Sequence, residues 1–283
     1  MRGFLEAIFA RIIGFFIMMF FIFTVGSLFT LVECVFDASE SNKTTTNTKK
    51  PDPILEKKTP NIIQRNVYWY DYNDTYFMAR LKIDYDKYLS SVNRKENNYA
   101  TTISSLYNVM YNHDKPNLDL IYNELLGFYK KYSLSRKEFA NLIVSMVQGM
   151  PYSFVMQETC SLMYSTDYSV RRAMDNGVKC EGNVYAGVYS PLEFVYKKKG
   201  DCDSRTVFLY TLLKKFNYDV AILNSDVYAH SIIGVNLPSY GRNYKYINGK
   251  RYYTWETTNR GWGLGDMPAE FNDLKYWYLA LSN

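Results

Sequence analysis

Apolar and polar residues divide the chain into three stretches. Ile12 to Val32, "IIGFFIMMFFIFTVGSLFTLV", contains no charged residue. At about 1.5 Å per residue in a helix, a run of this length reaches roughly 30 Å, the thickness of a hydrocarbon core. Residues 37–61, "DASESNKTTTNTKKPDPILEKKTPN", are rich in Ser, Thr, Lys and Pro and read as a flexible tether. From Ile62 onward, short alternating and helical patterns succeed one another, so the folded part is expected to begin there.

Within that part, "VYWYDYNDTYFMARLKIDY" alternates around Asn73-Asp74 and predicts a β-hairpin. Three helices follow: one near Tyr99 to Tyr111, one near Leu118 to Lys131 after Pro116, and one opened by the capping box Ser135 and Glu138. The third runs through "FANLIVSMVQ" and ends near Gly149, with Pro151 beyond it. A second capping box, Ser190 and Glu193 with Pro191 at the first helical position, predicts a helix that stops at Gly200. The next helix starts at once. Asp201 can cap it, Cys202 falls in its first turn, and Phe208, Leu209, Leu212 and Leu213 recur as a buried face. After Asn217, "DVAILN", "HSIIGVNL", "YKYI", "RYYTWETT" and "LKYWYLAL" read as strands, with a primed hairpin turn at Asn248-Gly249. This order predicts an α+β domain, with helices packed on an antiparallel sheet and a cysteine at the start of the central helix.

Arg2 and Arg11 precede the long apolar run, and Glu33 and Asp37 follow it. The positive-inside bias therefore keeps the N-terminus cytoplasmic and sends the rest across. A cleaved signal peptide would have a shorter apolar region of about 7–15 residues. Cys34 sits where a lipoprotein acceptor cysteine would, but Glu33 before it fits that signal poorly. The expected organisation is a cytoplasmic N-terminus and transmembrane anchor (1–36), a linker (37–61), a hairpin with accessory helices (62–134) and a catalytic domain (135–283). The protein is then a single-pass membrane protein with its domain extracytoplasmic, periplasmic or at the cell surface. The net charge of +5 is modest, and lysine runs such as Lys197 to Lys199 read as solvated, so no nucleic-acid partner is expected. The 28 tyrosines and 17 phenylalanines point to sheet surface and aromatic packing.

The four cysteines are Cys34, Cys160, Cys180 and Cys202. Outside the cytoplasm disulfides are permitted. A Cys160–Cys180 bridge would staple the polar stretch between them, worth about 3 kcal/mol in the chain-entropy model; two unpaired buried thiols are the alternative. The bridge would leave Cys202 as the free thiol of the domain. With no Cys-x-x-Cys pair and two histidines, no metal site is expected. No calcium loop or nucleotide motif is present, so no cofactor is expected. "GWGLGDMP" reads as glycine turns packed by Trp262, although that ring could also wall a cleft.

A cysteine in the first turn of a helix feels the positive end of the macrodipole, which favours thiolate. The N–H groups there can also hold an oxyanion. A nucleophile needs a base and the base an orienting group. His113, in the polar "YNHDKPN", reads as a surface-loop histidine. His230 opens an otherwise apolar strand. Glu256, in "YYTWETT", lies on a strand able to pair beside it, where a carboxylate can accept from an imidazole N–H.

The order of Cys202 in "GDCDSRTVFLYTLLKKF", His230 in "HSIIGVNL" and Glu256 in "YYTWETTNRGWGLGDMP" resembles the transglutaminase-like branch of the papain-like thiol enzymes, and bacterial transglutaminase-like cysteine peptidases in particular. The resemblance covers about Gln148 to Pro268. It implies a papain-like fold with Cys202 as nucleophile, His230 as base and Glu256 as the third member. The family usually has aspartate at that third position; glutamate carries the same charge on a longer arm. It further implies that Gln148, in "VSMVQGMPY", lies near the cleft as an oxyanion candidate, with a polar helix-end role as the alternative. The implied activity is thioester chemistry on a protein or peptide substrate. Water as acceptor gives a peptidase or amidase, and an amine gives a transglutaminase. A non-catalytic binding module and a membrane-tethered scaffold are the other readings.

Overall fold

A computed structural model describes residues 61–282. The expected anchor, almost all of the tether and Cys34 lie outside the described residues. No helix among the described residues is long and apolar enough to cross a membrane.

Strands β1 (Ile62–Tyr70) and β2 (Tyr76–Asp84) form the expected antiparallel hairpin. Their alternation buries Val67, Trp69, Phe77, Ala79, Leu81 and Ile83 on one face. Helix α1 (Tyr85–Glu96) follows directly, capped by Asp84. Its sequence, "YDKYLSSVNRKE", lacks an apolar stripe, which is why the hydrophobic pattern did not predict it; it buries Ser91 and Lys95 instead. Next come α2 (Ile103–Asp114), a 3-10 turn (Lys115–Leu118), α3 (Asp119–Lys131) and α4 (Arg136–Gln148). The Ser135–Glu138 capping box at α4 is complete in both directions. The α2 helix runs past Tyr111, so His113 lies in its last turn and not in an exposed loop. Its Nδ1 is 2.7 Å from Asp114 Oδ1 and its Nε2 is 3.1 Å from Ser90 Oγ.

A short parallel pair, β3 (Ser153–Val155) and β4 (Lys179–Glu181), flanks two short helices, α5 (Cys160–Thr166) and α6 (Tyr168–Asp175). At about two turns each, they show little periodicity in the sequence. Cys160 and Cys180 are joined by a disulfide that closes this excursion. Helix α7 (Pro191–Lys197) has the predicted capping box but ends before Gly200, at Lys198, whose φ of 54° is left-handed. Gly200 serves another purpose. A Cβ there would sit 3.0 Å from both Phe194 and Ser204, so glycine permits the close approach of α7 to the next helix.

That next helix, α8 (Cys202–Lys215), is capped by Asp201, whose carboxylate accepts from Ser204 N. It packs on β5 (Val220–Ser225) and β6 (His230–Val235), and on α2, α4 and α7. All residues from Ser204 to Leu213 are buried. The sequence predicted one buried face, but a helix enclosed by sheet and helices has no solvent side. Strands β7 (Tyr244–Ile247), β8 (Lys250–Trp255) and β9 (Tyr278–Ser282) complete a five-stranded antiparallel sheet in the order β7-β8-β6-β5-β9. Asn248 and Gly249 both have positive φ in the predicted turn. The fold is α+β, and one hydrophobic core runs from Val67 in the hairpin through α8 to Ala280 in β9.

Two buried charges tie α7 to the accessory helices. Lys95 Nζ lies 2.8 Å from Glu193 Oε2 and donates to Val188 O at 3.0 Å. Asp114 Oδ2 accepts from Ser91 Oγ at 2.7 Å and from the Leu192 N–H at 3.0 Å, capping α7 from a neighbouring helix. Removing one partner of a buried pair strands the other, at about 3–5 kcal/mol. Lys95→Met is therefore expected to lower the urea-unfolding free energy by about that much, and Lys95→Met with Glu193→Leu to recover part of it.

Candidate active site

The site is assembled where the N-terminus of α8 meets the start of β6 and the end of β8. Pairing of Ile233 with Trp255 sets β8 beside β6, so Glu256, one residue past the strand, arrives at the ring of His230. His230 Nε2 is 2.7 Å from Glu256 Oε2. The carboxylate is 1% exposed and the imidazole 10%. The second oxygen, Oε1, accepts from Thr257 N at 2.8 Å, Thr258 N at 2.7 Å and Thr258 Oγ1 at 2.6 Å. Burial works against charge on Glu256, but the bonds from His230 and Thr258 outweigh it and hold the carboxyl below its ordinary range. A carboxylate at Nε2 fixes the proton there and leaves Nδ1 as the acceptor of a neutral imidazole. Phe271 and Trp277 pack on the ring at centroid distances of 5.2 and 5.9 Å and limit its rotation.

Cys202 is buried and is the one free cysteine among the described residues. Its thiol meets the backbone N–H of Ser231, the residue after His230. Thr206 Oγ1, one turn further along α8, donates to Ser231 O at 3.2 Å. The structure thus brings Cys202 to the residue next to His230, without a hydrogen bond between Cys202 Sγ and the ring. The sequence pattern favoured a thiolate, and here the structure differs. Burial, followed by the carboxylates of Asp203 and Asp201, pushes the Cys202 thiol well above its usual range, against the Ser231 N–H. The dipole at a helix end amounts to about half a charge, and burial together with the flanking carboxyls outweighs it.

Gln148 is buried at the end of α4. Its amide donates to Glu256 O at 2.7 Å and Trp262 O at 3.0 Å, and its carbonyl oxygen accepts from Tyr72 O–H at 2.9 Å. With its NH2 committed to two carbonyls, Gln148 holds the backbone of Glu256 and is not presented as an oxyanion donor. Trp262 likewise acts here through its carbonyl, which also receives Trp255 Nε1 at 3.0 Å.

Two groups have roles that the sequence pattern did not reveal. Asp203 accepts a hydrogen bond from Tyr107 O–H. Burial raises its carboxyl, against that bond and the nearby His230. Arg205 is fully buried one turn into α8. Its Nε donates to Gly200 O at 3.0 Å, one terminal nitrogen to Val147 O at 2.6 Å and Thr257 O at 3.2 Å, and the other to Met150 O at 2.7 Å. Burial lowers it to about 10, so it remains a cation at neutral pH, near Tyr152, Asp201, Cys202 and Glu256. The available signal was an arginine three residues after Cys202, just ahead of the apolar run of the helix.

Among the described residues no group of three or more His, Cys, Asp or Glu could hold a metal ion. No protein-family model, curated protein or solved structure matches the chain.

Replacing Arg205 by Met takes the donor from Met150 O and Thr257 O, each worth about 1–3 kcal/mol when buried and unpaired, while Gly200 O and Val147 O keep the N–H groups of Ser153 and Met150. Arg205→Met is expected to cost at least ~3 kcal/mol in urea unfolding, and Arg205→Lys less, since an ammonium keeps the charge but has three donors. Equal stability of the two variants would contradict this role.

Proposed function

We propose that the chain is a membrane-anchored thiol enzyme of the transglutaminase-like, papain-like kind, acting as a cysteine peptidase or amidase on protein or peptide substrates. The observation that carries this reading is the buried His230–Glu256 pair, 2.7 Å apart, beside the helix start that bears the free Cys202. A 2.7 Å imidazole–carboxylate pair with Nδ1 left as acceptor is the arrangement a thiol nucleophile requires.

In this mechanism the resting thiol gives its proton to His230 Nδ1 as Sγ bonds to the carbonyl carbon. The carbonyl oxygen becomes an oxyanion facing the first-turn N–H groups of α8, which have no helical acceptor. The intermediate collapses to a thioester as the C–N bond breaks, and His230 passes its proton to the leaving amine. Water, deprotonated by His230, attacks the thioester and releases acid and free Cys202. Glu256 keeps the imidazole oriented and stabilises its charged form throughout. The disulfide between Cys160 and Cys180 fits an oxidising compartment, which supports a catalytic domain outside the cytoplasm, held by the apolar run Ile12 to Val32.

One observation favours a second reading, acyl transfer to an amine. A cleft of about 420 Å3 beside His230 is lined by Asp203 and Asp226 and by no lysine or arginine, and could receive a cationic amine.

Both readings are tested on the full-length chain in mild detergent, with casein and glutamine-containing peptides, with and without a fluorescent primary amine. A hydroxylamine-sensitive adduct on the Cys202 peptide is expected by mass spectrometry. It should be absent in Cys202→Ala, and its rate should fall about 10²–10⁴-fold in His230→Ala. New amino termini indicate hydrolysis, and amine incorporation indicates transfer. The same products from Cys202→Ala, or none from the wild type, would overturn the enzyme reading.

A further inference from the structure

A second cleft is larger than the one beside His230. A cleft of about 640 Å3 lies between the turn after β1, one face of α4, and the loops before β7 and after β8. Its lining contains a single aliphatic side chain, Leu264. A lipid or an apolar peptide anchor would find little to pack on. Its two cations already lie over aromatic rings: Arg260 is 5.3 Å from the Tyr70 centroid and Lys137 is 5.8 Å from that of Tyr240. Asp71, Asp74 and Asp266 outnumber them, which argues against a phosphate or nucleic-acid ligand. What remains is a set of tyrosines, two of them with a cation over one face, together with carboxylates and amides.

We propose that this cleft binds a neutral, hydroxyl-rich ligand, a saccharide chain. A sugar ring offers C–H faces that pack on tyrosine, and hydroxyls that both donate to carboxylates and accept from amide N–H groups. Tyr70 and Tyr240 stand at the rim, the latter fully exposed at 102%. Asn141 lies on the α4 wall, its side chain without a hydrogen bond among the described residues, leaving a complete amide for a ligand. The opposite wall is rigid. Gly241 and Gly265 touch so closely that a Cβ on Gly241 would come within 2.4 Å of the Gly265 Cα, and Gly265 has a φ of +88°. The floor is the Tyr72–Gln148 hydrogen bond, and the same Gln148 holds the Glu256 carbonyl. The cleft and the His230–Glu256 pair are therefore linked through Gln148. The inference does not depend on Cys202 being a nucleophile.

The test is a calorimetric titration of the full-length Cys202→Ser chain in mild detergent with three probes: an N-acetylglucosamine trimer, a β-linked glucose trimer and a maltose-type trimer. Using Cys202→Ser keeps the outcome separate from any thioester chemistry. Saturable binding of at least one probe at or below about 10 mM is expected. Tyr240→Ala and Asn141→Ala, both at the surface of the cleft, should each weaken that binding by about tenfold or more. No binding of any probe, binding unchanged in both variants, or occupation of the cleft by a charged peptide that a sugar cannot displace would overturn the proposal.

Discussion

The buried guanidinium of Arg205 is the interaction on which the candidate site depends. A cation taken wholly out of water costs several kcal/mol unless its donors are satisfied. Here four backbone carbonyls from three separate stretches accept them: Val147 and Met150 around the end of α4, Gly200 before α8, and Thr257 beside Glu256. None of these stretches is held to the others by a regular strand ladder apart from the lone Tyr152–Gly200 bridge. One side chain, fixed by its own helix, therefore sets the distance between the residue that precedes Asp201 and the residue that follows Glu256.

The same cation bears on the electrostatics of Cys202. Burial and the carboxyls of Asp203, Asp201 and Glu256 all oppose ionisation of the thiol, while burial raises Asp201 itself to about 8. Arg205 and the helix N-terminus oppose this without reversing it. The result is a thiol held well above its usual range next to the strand that carries His230. Glu256 supports that arrangement because it is satisfied on both oxygens and stays ionised.

Much of this was legible in the sequence, because local rules and tertiary packing agree there. The two capping boxes, the Asp201 cap, the strands around His230 and the Asn248-Gly249 turn all follow from spacing and turn chemistry. The pairing of Cys160 with Cys180 was one of two alternatives and is the one formed. What escaped was decided by long-range contacts. The α1 helix buries a lysine and a serine, not an apolar stripe, because Glu193 and Asp114 wait for them on other elements. Gln148 looked like a free amide until the loop carrying Trp262 folded over it. The state of Cys202 could not be read from its place in the helix, because it is set by the burial of the thiol beside a buried Asp201 and a half-buried Asp203.

The central claim is that His230 acts on a resting Cys202 thiol. It is tested most directly by the rate of iodoacetamide alkylation of Cys202 in the full-length chain from about pH 4 to about pH 10, in wild type and His230→Ala, followed by peptide mass spectrometry. A free thiol titrates near about 8.5. The account predicts an inflection above that value, and at neutral pH a wild-type rate that His230→Ala lowers by about tenfold or more. A profile that matches an ordinary free cysteine and is identical in the two proteins would contradict it.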